Sequence, residues 1–171
     1  VPVTPRNGYA VEINALWYNA VMFYRELAEL ACSDGESAKW DEFASVFPSS
    51  FKSTFWSKEK GYLADCVNGA ERDFSVRCNM IFAVSMPYTC LSLKIRQLIV
   101  EKVKQELLTP YGLRSLSPKA ENYHPHYRGN QHERDFAYHN GTVWTWPIGA
   151  FAEAYFNVYG KNAVNYIEQL Y

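Results

Sequence analysis

The chain has 171 residues, enough for one domain with a sizeable core, and 48% of them are hydrophobic, which is typical of a folded globular protein. A formal net charge of −1, with lysine and arginine scattered along the chain, argues against nucleic acid as a partner. No apolar run is long enough to span a bilayer, and four cysteines without CxxC spacing are typical of free thiols in a cytoplasmic protein.

The first part of the chain carries two helical patterns. Apolar residues recur at helical spacing from Val11 to Leu30 and form a wide stripe. A second helix is predicted from Trp40 to Trp56, and Pro48 is expected to kink or split it. The stretch from Lys58 to Val67 reads as a short connector with a glycine turn, compatible with a brief strand.

The rest of the chain alternates between predicted helices and loops. The helical segments are Cys78–Leu93 with a kink at Pro87, Lys94–Leu108, Trp144–Tyr159 and an outer helix, Asn162–Tyr171. The loops are the turn-rich stretch Thr109–Pro118 and a long polar, aromatic segment, Lys119–Tyr138.

Three segments share one plan, in which a polar loop leads through a polar helix entrance into an apolar helix. They are TPRNGYAVEINALWYNA, RDFSVRCNMIFAVSMPY and RDFAYHNGTVWTWPIGAF. Glu12 and Asn79 are 67 positions apart, and Asn79 and Trp144 are 65 apart. Such a period predicts helix hairpins stacked side by side or around a ring, with the polar entrances at one central mouth. The residues expected to converge there are Arg6, Glu12, Arg77, Asn79, His139 and Trp144.

The residue types at this mouth suit the binding of sugars. Five tryptophans are more than a core of this size needs, and indole rings are platforms for the apolar faces of sugars. Arg, Asp, Glu and Asn side chains match pairs of neighbouring hydroxyl groups. The candidate substrate-binding residues are Arg6, Glu12, Trp17, Arg77, Asn79, Asp135, His139, Asn140 and Trp144. Taken singly, each could instead be a helix cap, a surface charge or a core side chain.

Other chemistries find little support. The chain has no GxSxG, GxGxxG or GKS/GKT motif, and no cofactor is expected. A zinc site built from Cys66, Cys78 and the His124/His126 pair fits no zinc-binding spacing, so no metal is predicted.

Four motifs resemble a known family. TPRNGYAVEINALWYNA, RCNMIFAVSMPY, LLTPYGLRSLSP and AYHNGTVWTWPIGAFAEA are similar, in this order, to the C-terminal amylo-α-1,6-glucosidase domain of glycogen debranching enzymes. The resemblance covers almost the whole chain and is weakest around Ser33 to Lys60. It implies an all-α fold, the (α/α)6 toroid of glucoamylase, and inverting hydrolysis of the α-1,6-linked glucose at a branch point of glycogen.

The resemblance also shows one departure. The family usually has Arg-Pro-Asn where this chain has Arg77-Cys78-Asn79. Because Cys78 replaces a turn proline and nothing near it in sequence lowers a thiol pKa, it is expected to be a reduced, buried or half-buried thiol.

The family's catalytic carboxylates are not found in this sequence. In the family, the general acid is an Asp in a Trp-rich motif upstream of TPR, and the base follows the outer helix that begins here at Asn162. Six hairpins of ~65 residues would need ~390 residues. Residues 1–171 are therefore expected to be an excerpt of about two and a half hairpins, which binds glycogen or another branched α-glucan and is inactive without the rest of its parent polypeptide.

Two other interpretations stay open at this point. One is a non-catalytic carbohydrate-binding or scaffold domain that kept the polar mouth and lost the catalytic carboxylates. The other is a complete small helical enzyme that uses Glu12, Asp73 or Asp135 itself.

Overall fold

A computed structural model describes residues 3–32 and 34–170. The helices are α1 Val11–Leu30, α2 Asp34–Ala38, α3 Asp41–Phe55, α4 Phe82–Ser85, α5 Leu93–Glu106, α6 Gln131–Tyr138, α7 Ile148–Tyr159 and α8 Val164–Ile167. The strands are β1 Tyr9–Ala10, β2 Trp56–Ser57, β3 Tyr62–Leu63, β4 Cys66–Asn68, β5 Glu71–Asp73, β6 Leu108–Thr109, β7 Gly112–Arg114 and β8 Val143–Trp144. Three 3-10 turns are Cys78–Ile81, Gly160–Ala163 and Glu168–Leu170.

The two long helices of the first part are close to their predicted positions. Helix α1 has the predicted bounds, and α3 runs unbroken through Pro48. Helix α5 begins one residue before the predicted start and ends two residues before the predicted end. Long stripes of apolar residues at helical spacing were therefore sufficient to locate these three helices.

Four of the later predictions differ from the structure. Of the helix predicted at 78–93, the structure has a 3-10 turn and the short α4, and Leu93 already belongs to α5; the residue before Pro87 is extended and ends the helix. Trp144 lies in strand β8, and helix α7 starts after Pro147. The segment 119–138, predicted as a loop, contains α6. The outer helix expected at 162–171 is replaced by α8 and flanking 3-10 turns, with Tyr171 outside the described residues.

In the part of the chain that the structure describes, three small antiparallel sheets distinguish the fold from the all-α prediction. Their strand orders are β1-β4-β5, β2-β3 and β6-β7-β8. Strand β1 leads directly into α1, and β8 ends four residues before α7 begins. The chain is thus mainly helical, and two of its sheets lie at the entrances of long helices.

The core lies between the helices. Helix α7 packs against α4 and α5, and α1 packs against α3 and α4. Val11, Ile81, Ile99 and Phe151 are fully buried there. Within the described ranges, no helix is both long and apolar enough to cross a membrane.

Gly112 permits the close contact between β7 and β8. Its φ is +139°, and a Cβ atom at this position would lie 2.1 Å from the carbonyl oxygen of Trp144. We expect Gly112→Ala to lower the free energy of unfolding by about 2–3 kcal/mol, because both the backbone conformation and the strand contact are lost. Urea unfolding of the chain measures this change.

Gly149→Ala is the matched control. Gly149 lies in helix α7, and an added Cβ would meet nothing within 4 Å. This substitution is expected to leave stability unchanged or to raise it by up to about 1 kcal/mol. Equal destabilisation by the two variants would show that the close approach at Gly112 is unimportant.

Candidate functional site

One cavity of about 310 Å³ gathers residues from all three repeated segments. It is lined by Thr4, Arg6, Glu12, Arg77, Asn79, Phe82, Ser115, His139, Trp144 and Trp146. All six residues that were predicted to meet at one mouth line this cavity. Their convergence is confirmed, while their role in binding a sugar stays a prediction.

The small sheets bring these segments together. Pairing of β1 with β4 places Ala10 opposite Cys66, and the backbone N–H of Val11 donates to the carbonyl oxygen of Asp65 over 3.0 Å. Pairing of β7 with β8 places Leu113 opposite Trp144. The first and third repeated segments are therefore each fixed by backbone hydrogen bonds to a distant part of the chain.

A carboxylate that the sequence analysis did not single out lies behind the cavity wall. The side chain of Asp65 is fully buried. Its Oδ2 accepts a hydrogen bond from Nε of Arg6 at 2.5 Å, and its Oδ1 accepts one from Nδ2 of Asn79 at 2.8 Å. Nε of Arg77 lies 3.9 Å from Oδ2. Burial raises the pKa of Asp65, while the charge of Arg6 and the hydrogen bond from Asn79 oppose this rise.

The sequence held one signal for this residue. Asp65 is an ionisable residue between Leu63, Ala64 and Cys66, all of which are buried. A carboxylate in a run of buried residues needs partners, because an unpaired buried charge is very costly. Because residues 58–67 were predicted to be a short connector, a buried carboxylate that needs partners was not expected there.

Arg6 and Glu12 form a two-pronged ion pair at the cavity. Both terminal nitrogens of Arg6 donate to the Glu12 carboxylate, at 2.6 and 2.7 Å. Burial lowers the pKa of Arg6, but Glu12 and Asp65 outweigh this effect, so that the pKa is raised above its usual value. Glu12 lies in the first turn of α1, where the helix dipole favours a negative charge. Its carboxylate is thus placed as a hydrogen-bond acceptor.

Arg77 connects the second repeated segment to the third. Its Nη1 donates to the backbone oxygen of His139, and its Nη2 donates to Oδ1 of Asn140 at 3.1 Å. Asn140 is buried and also donates to the backbone oxygen of Phe136 at 2.9 Å. Asn140 therefore supports Arg77 from behind and is not among the residues that line the cavity.

Flat rings form one wall of the cavity. Trp146 stacks on Trp144 with 5.9 Å between ring centroids and on Phe82 with 5.6 Å. His139 meets Trp144 edge to face at 5.2 Å. The indole nitrogen of Trp144 is buried and has no hydrogen-bond partner among the described residues. These rings offer an apolar surface in the same cavity as the polar groups.

Besides Asn140, two further predicted binding residues, Trp17 and Asp135, lie outside the cavity. Trp17 is half exposed and packs edge to face against Trp40 in a separate groove. Five residues along a helix correspond to a rotation of about 140°, so Trp17 points away from Glu12. Asp135 accepts a hydrogen bond from Gln131 at 2.6 Å, one turn earlier in α6. Its carboxylate therefore contacts its own helix, α6, which lies in the segment that was predicted to be a loop.

Potential metal ligands gather at one place in the described part of the chain. Ligand atoms of Asp65, Cys66 and Asp73 lie within 4.8 Å of one another. Both oxygens of Asp65 already accept hydrogen bonds and Arg6 brings a positive charge, so this arrangement does not suit a cation. The zinc ligands considered above, Cys66, Cys78, His124 and His126, form no such group among the described residues.

Cys78 is buried, as expected from the sequence. Burial raises the pKa of its thiol to about 12, and the charge of Asp65 adds to the effect. Such a thiol is a poor nucleophile at neutral pH.

Comparison with known proteins adds an independent finding. A family profile described as amylo-alpha-1,6-glucosidase matches residues 1–171. A glycogen debranching enzyme from Saccharomyces cerevisiae is 25% identical over 202 aligned positions, which cover 95% of this chain. The alignment covers 13% of that enzyme, so the chain spans only a small part of the relative's length.

His139 makes stability depend on pH. Burial lowers its pKa from 6.5, and the charges of Arg77 and Arg6 lower it further. As the pH falls below about 6.5, the unfolded chain takes up a proton that the folded chain resists. The folded state is therefore expected to lose stability between pH 6.5 and the lower pKa of the folded protein.

Thermal unfolding at a series of pH values measures this loss. His139→Gln removes the titrating group, and the stability of this variant is expected to fall less steeply over the same range. Parallel curves for the two proteins would contradict a lowered pKa at His139.

Proposed function

The chain belongs to the amylo-alpha-1,6-glucosidase family, and from this premise we propose that it forms part of a glycogen-debranching glycoside hydrolase. The proposed reaction is inverting hydrolysis of the α-1,6-linked glucose at a branch point of glycogen or another branched α-glucan. The proposed role of this chain is to provide part of the wall that binds the glucose unit. The supporting observation is the meeting of Arg6, Glu12, Asn79, His139 and Trp144 at one cavity.

The size and chemistry of the cavity support a single sugar ring as its occupant. A volume of about 310 Å³ is at the lower end of the range of ~300–1,000 Å³ for small-molecule sites. The Arg6–Glu12 pair holds the Glu12 carboxylate in a fixed orientation as a hydrogen-bond acceptor, which suits hydroxyl groups of a sugar. The rings of Trp144 and Trp146 suit the apolar face of a pyranose.

The proposed function assigns the catalytic acid and base to other segments of the protein. Inverting glycosidases need two carboxyl groups ~6.5–9.5 Å apart on either side of the scissile bond. Among the residues that line the cavity in the described part of the chain, Glu12 is the only carboxylate, and it is paired with Arg6. We therefore assign Glu12 to substrate binding.

An exposed apolar surface supports a larger helical assembly. Seven large hydrophobic side chains of α1 are exposed and lie within about 140° of rotation around the helix: Ile13, Leu16, Trp17, Phe23, Tyr24, Leu27 and Leu30. A contiguous apolar face of this kind is typical of a surface that packs against another element. We propose that the rest of the parent polypeptide covers it in an (α/α)6 toroid, in a cytoplasmic protein with no nucleic-acid or membrane partner.

The 171-residue chain alone is expected to release no measurable glucose from a branched limit dextrin. The physical reason is that the chain alone would lack both the acid that protonates the leaving oxygen and the base that activates a water on the opposite face of the sugar. Glucose release is measured enzymatically, with the intact protein as the positive control. Turnover by the chain alone that is abolished by Glu12→Gln, Asp73→Asn or Asp135→Asn would place the catalytic pair within this chain.

In the intact protein, Glu12→Gln is expected to lower kcat/KM by about 10- to 100-fold, because a charged hydrogen-bond acceptor is replaced by a neutral one. Activity should remain measurable, unlike activity after loss of a catalytic acid. Glu26→Gln is the matched control, since Glu26 is an exposed carboxylate on the same helix. Steady-state kinetics on the limit dextrin compare the variants.

Two outcomes would change the proposal. Complete loss of activity in Glu12→Gln, with glucose binding unchanged, would make Glu12 catalytic. Binding of glucan without any turnover by the intact protein would favour the non-catalytic carbohydrate-binding domain.

A further inference from the structure

Asp65 contacts three residues of the cavity wall although it does not line the cavity itself. One carboxylate oxygen accepts a hydrogen bond from Arg6 at 2.5 Å, and the other accepts one from Asn79 at 2.8 Å. Nε of Arg77 lies 3.9 Å from the carboxylate. Its backbone is fixed as well, since its N–H donates to the carbonyl oxygen of Asp73 at 2.7 Å and its carbonyl oxygen accepts from Val11 and Arg6. Both the position and the orientation of the Asp65 carboxylate are therefore determined by the fold.

This carboxylate determines which end of the Asn79 side chain is available for a ligand. A carboxylate only accepts hydrogen bonds, so Asn79 must direct its Nδ2 towards Asp65. The opposite amide orientation would bring two oxygens together without a proton between them. Among the described residues, the hydrogen-bond partner of Asn79 Oδ1 is the weak donor Sγ of Cys78, at 4.0 Å. Oδ1 is thus left to accept a hydrogen bond at the cavity.

Asp65 acts on Glu12 in a similar way through Arg6. Nε of Arg6 is held by Asp65, which turns its two terminal nitrogens towards the Glu12 carboxylate. The guanidinium is planar and rigid, so fixing one edge fixes the other. The cavity consequently presents two acceptors at set positions, the carboxylate of Glu12 and Oδ1 of Asn79.

We propose that Asp65 is a positioning residue that determines the hydroxyl specificity of the site. By holding Asn79 as an acceptor, it makes the site require a hydroxyl donor at one particular carbon of the sugar. This inference rests on the proposed function, because it takes the occupant to be a glucose unit. It adds a specificity determinant that lies outside the cavity lining.

The test uses glucose and the series of monodeoxyglucoses, each of which lacks one hydroxyl group. Binding to the intact protein is measured by isothermal titration calorimetry. We expect one deoxy sugar to bind the wild type about tenfold more weakly than glucose, because Asn79 loses its partner. In Asn79→Ala, the ratio of the glucose affinity to the deoxy-sugar affinity should fall towards one, because the amide is absent. In Asp65→Asn the same ratio should also fall towards one, because the amide of Asn79 is free to turn.

Asp41→Asn is the matched control. Asp41 also pairs with an arginine, Arg25, but this pair lies at the surface, with the side chain of Asp41 61% exposed. The ratio of deoxy sugar to glucose affinity should be unchanged in this variant. If Asp65 only stabilised the fold, Asp65→Asn would weaken the binding of all the sugars equally. The ratio of their affinities would then keep its wild-type value.

A second variant covers the case in which Asp65→Asn does not fold. The double variant Asp65→Asn/Asn79→Asp exchanges the two groups, so that position 65 donates and position 79 still offers an oxygen to the cavity. Discrimination of about tenfold is expected to persist in it. Its complete loss in the folded double variant would overturn the inference.

The remaining outcomes separate the inference from the proposed function. If the wild type binds glucose and Asp65→Asn keeps the wild-type ratio, the inference is wrong and the proposed function stands. If the intact wild type binds neither glucose nor a branched glucan, the proposed function itself is wrong.

Discussion

The burial of the Asp65 carboxylate is the constraint on which the arrangement of the cavity depends. A fully buried charge is stable only with charged or hydrogen-bonding partners in good geometry. Here the partners are Arg6, Arg77 and Asn79, which come from two of the repeated segments. Arg77 in turn reaches Asn140 in the third segment, 63 positions further along the chain. One buried charge thus connects all three segments.

The sheets have a related physical role in a mainly helical chain. At the entrance of α1, the strands β1 and β4 pair and the N–H of Val11 donates to the backbone of Asp65. At the entrance of α7, pairing of β7 and β8 fixes Trp144. Backbone pairing at the entrances thus holds Glu12, in the first turn of α1, and Trp144, before α7, at the cavity.

The periodic features of the fold could be predicted, and the features set by single contacts could not. Helix α1 and the meeting of Glu12 with Trp144 both follow from regular spacing, which a sequence displays directly. Trp17 lies outside the cavity, because five residues along α1 from Glu12 turn its side chain by about 140°. Asp65 was missed because its importance comes from partners up to 59 positions away.

Helix α6 was missed for a different reason, since its start signal is present in the sequence. Asn130 and Glu133 form a capping box, with the Asn130 side chain accepting from the backbone N–H of Glu133. The polar and aromatic composition of this segment favoured a loop, and the eight residues of α6 are too few for a clear apolar stripe. In this segment, local capping chemistry was a better guide than hydrophobic periodicity.

The charges around the cavity bear on the kind of ligand that it fits. Arg6 and Arg77 carry two positive charges, and Glu12 and Asp65 carry two negative ones when both are ionised. Because the pKa of His139 is lowered by burial and by these arginines, it stays neutral at pH 7. With Asp65 ionised, the positive and negative charges around the cavity balance, and the cavity is rich in hydrogen-bonding groups. Such a site gives little attraction to a phosphate or an ammonium group, and it favours a neutral ligand with many hydroxyl groups.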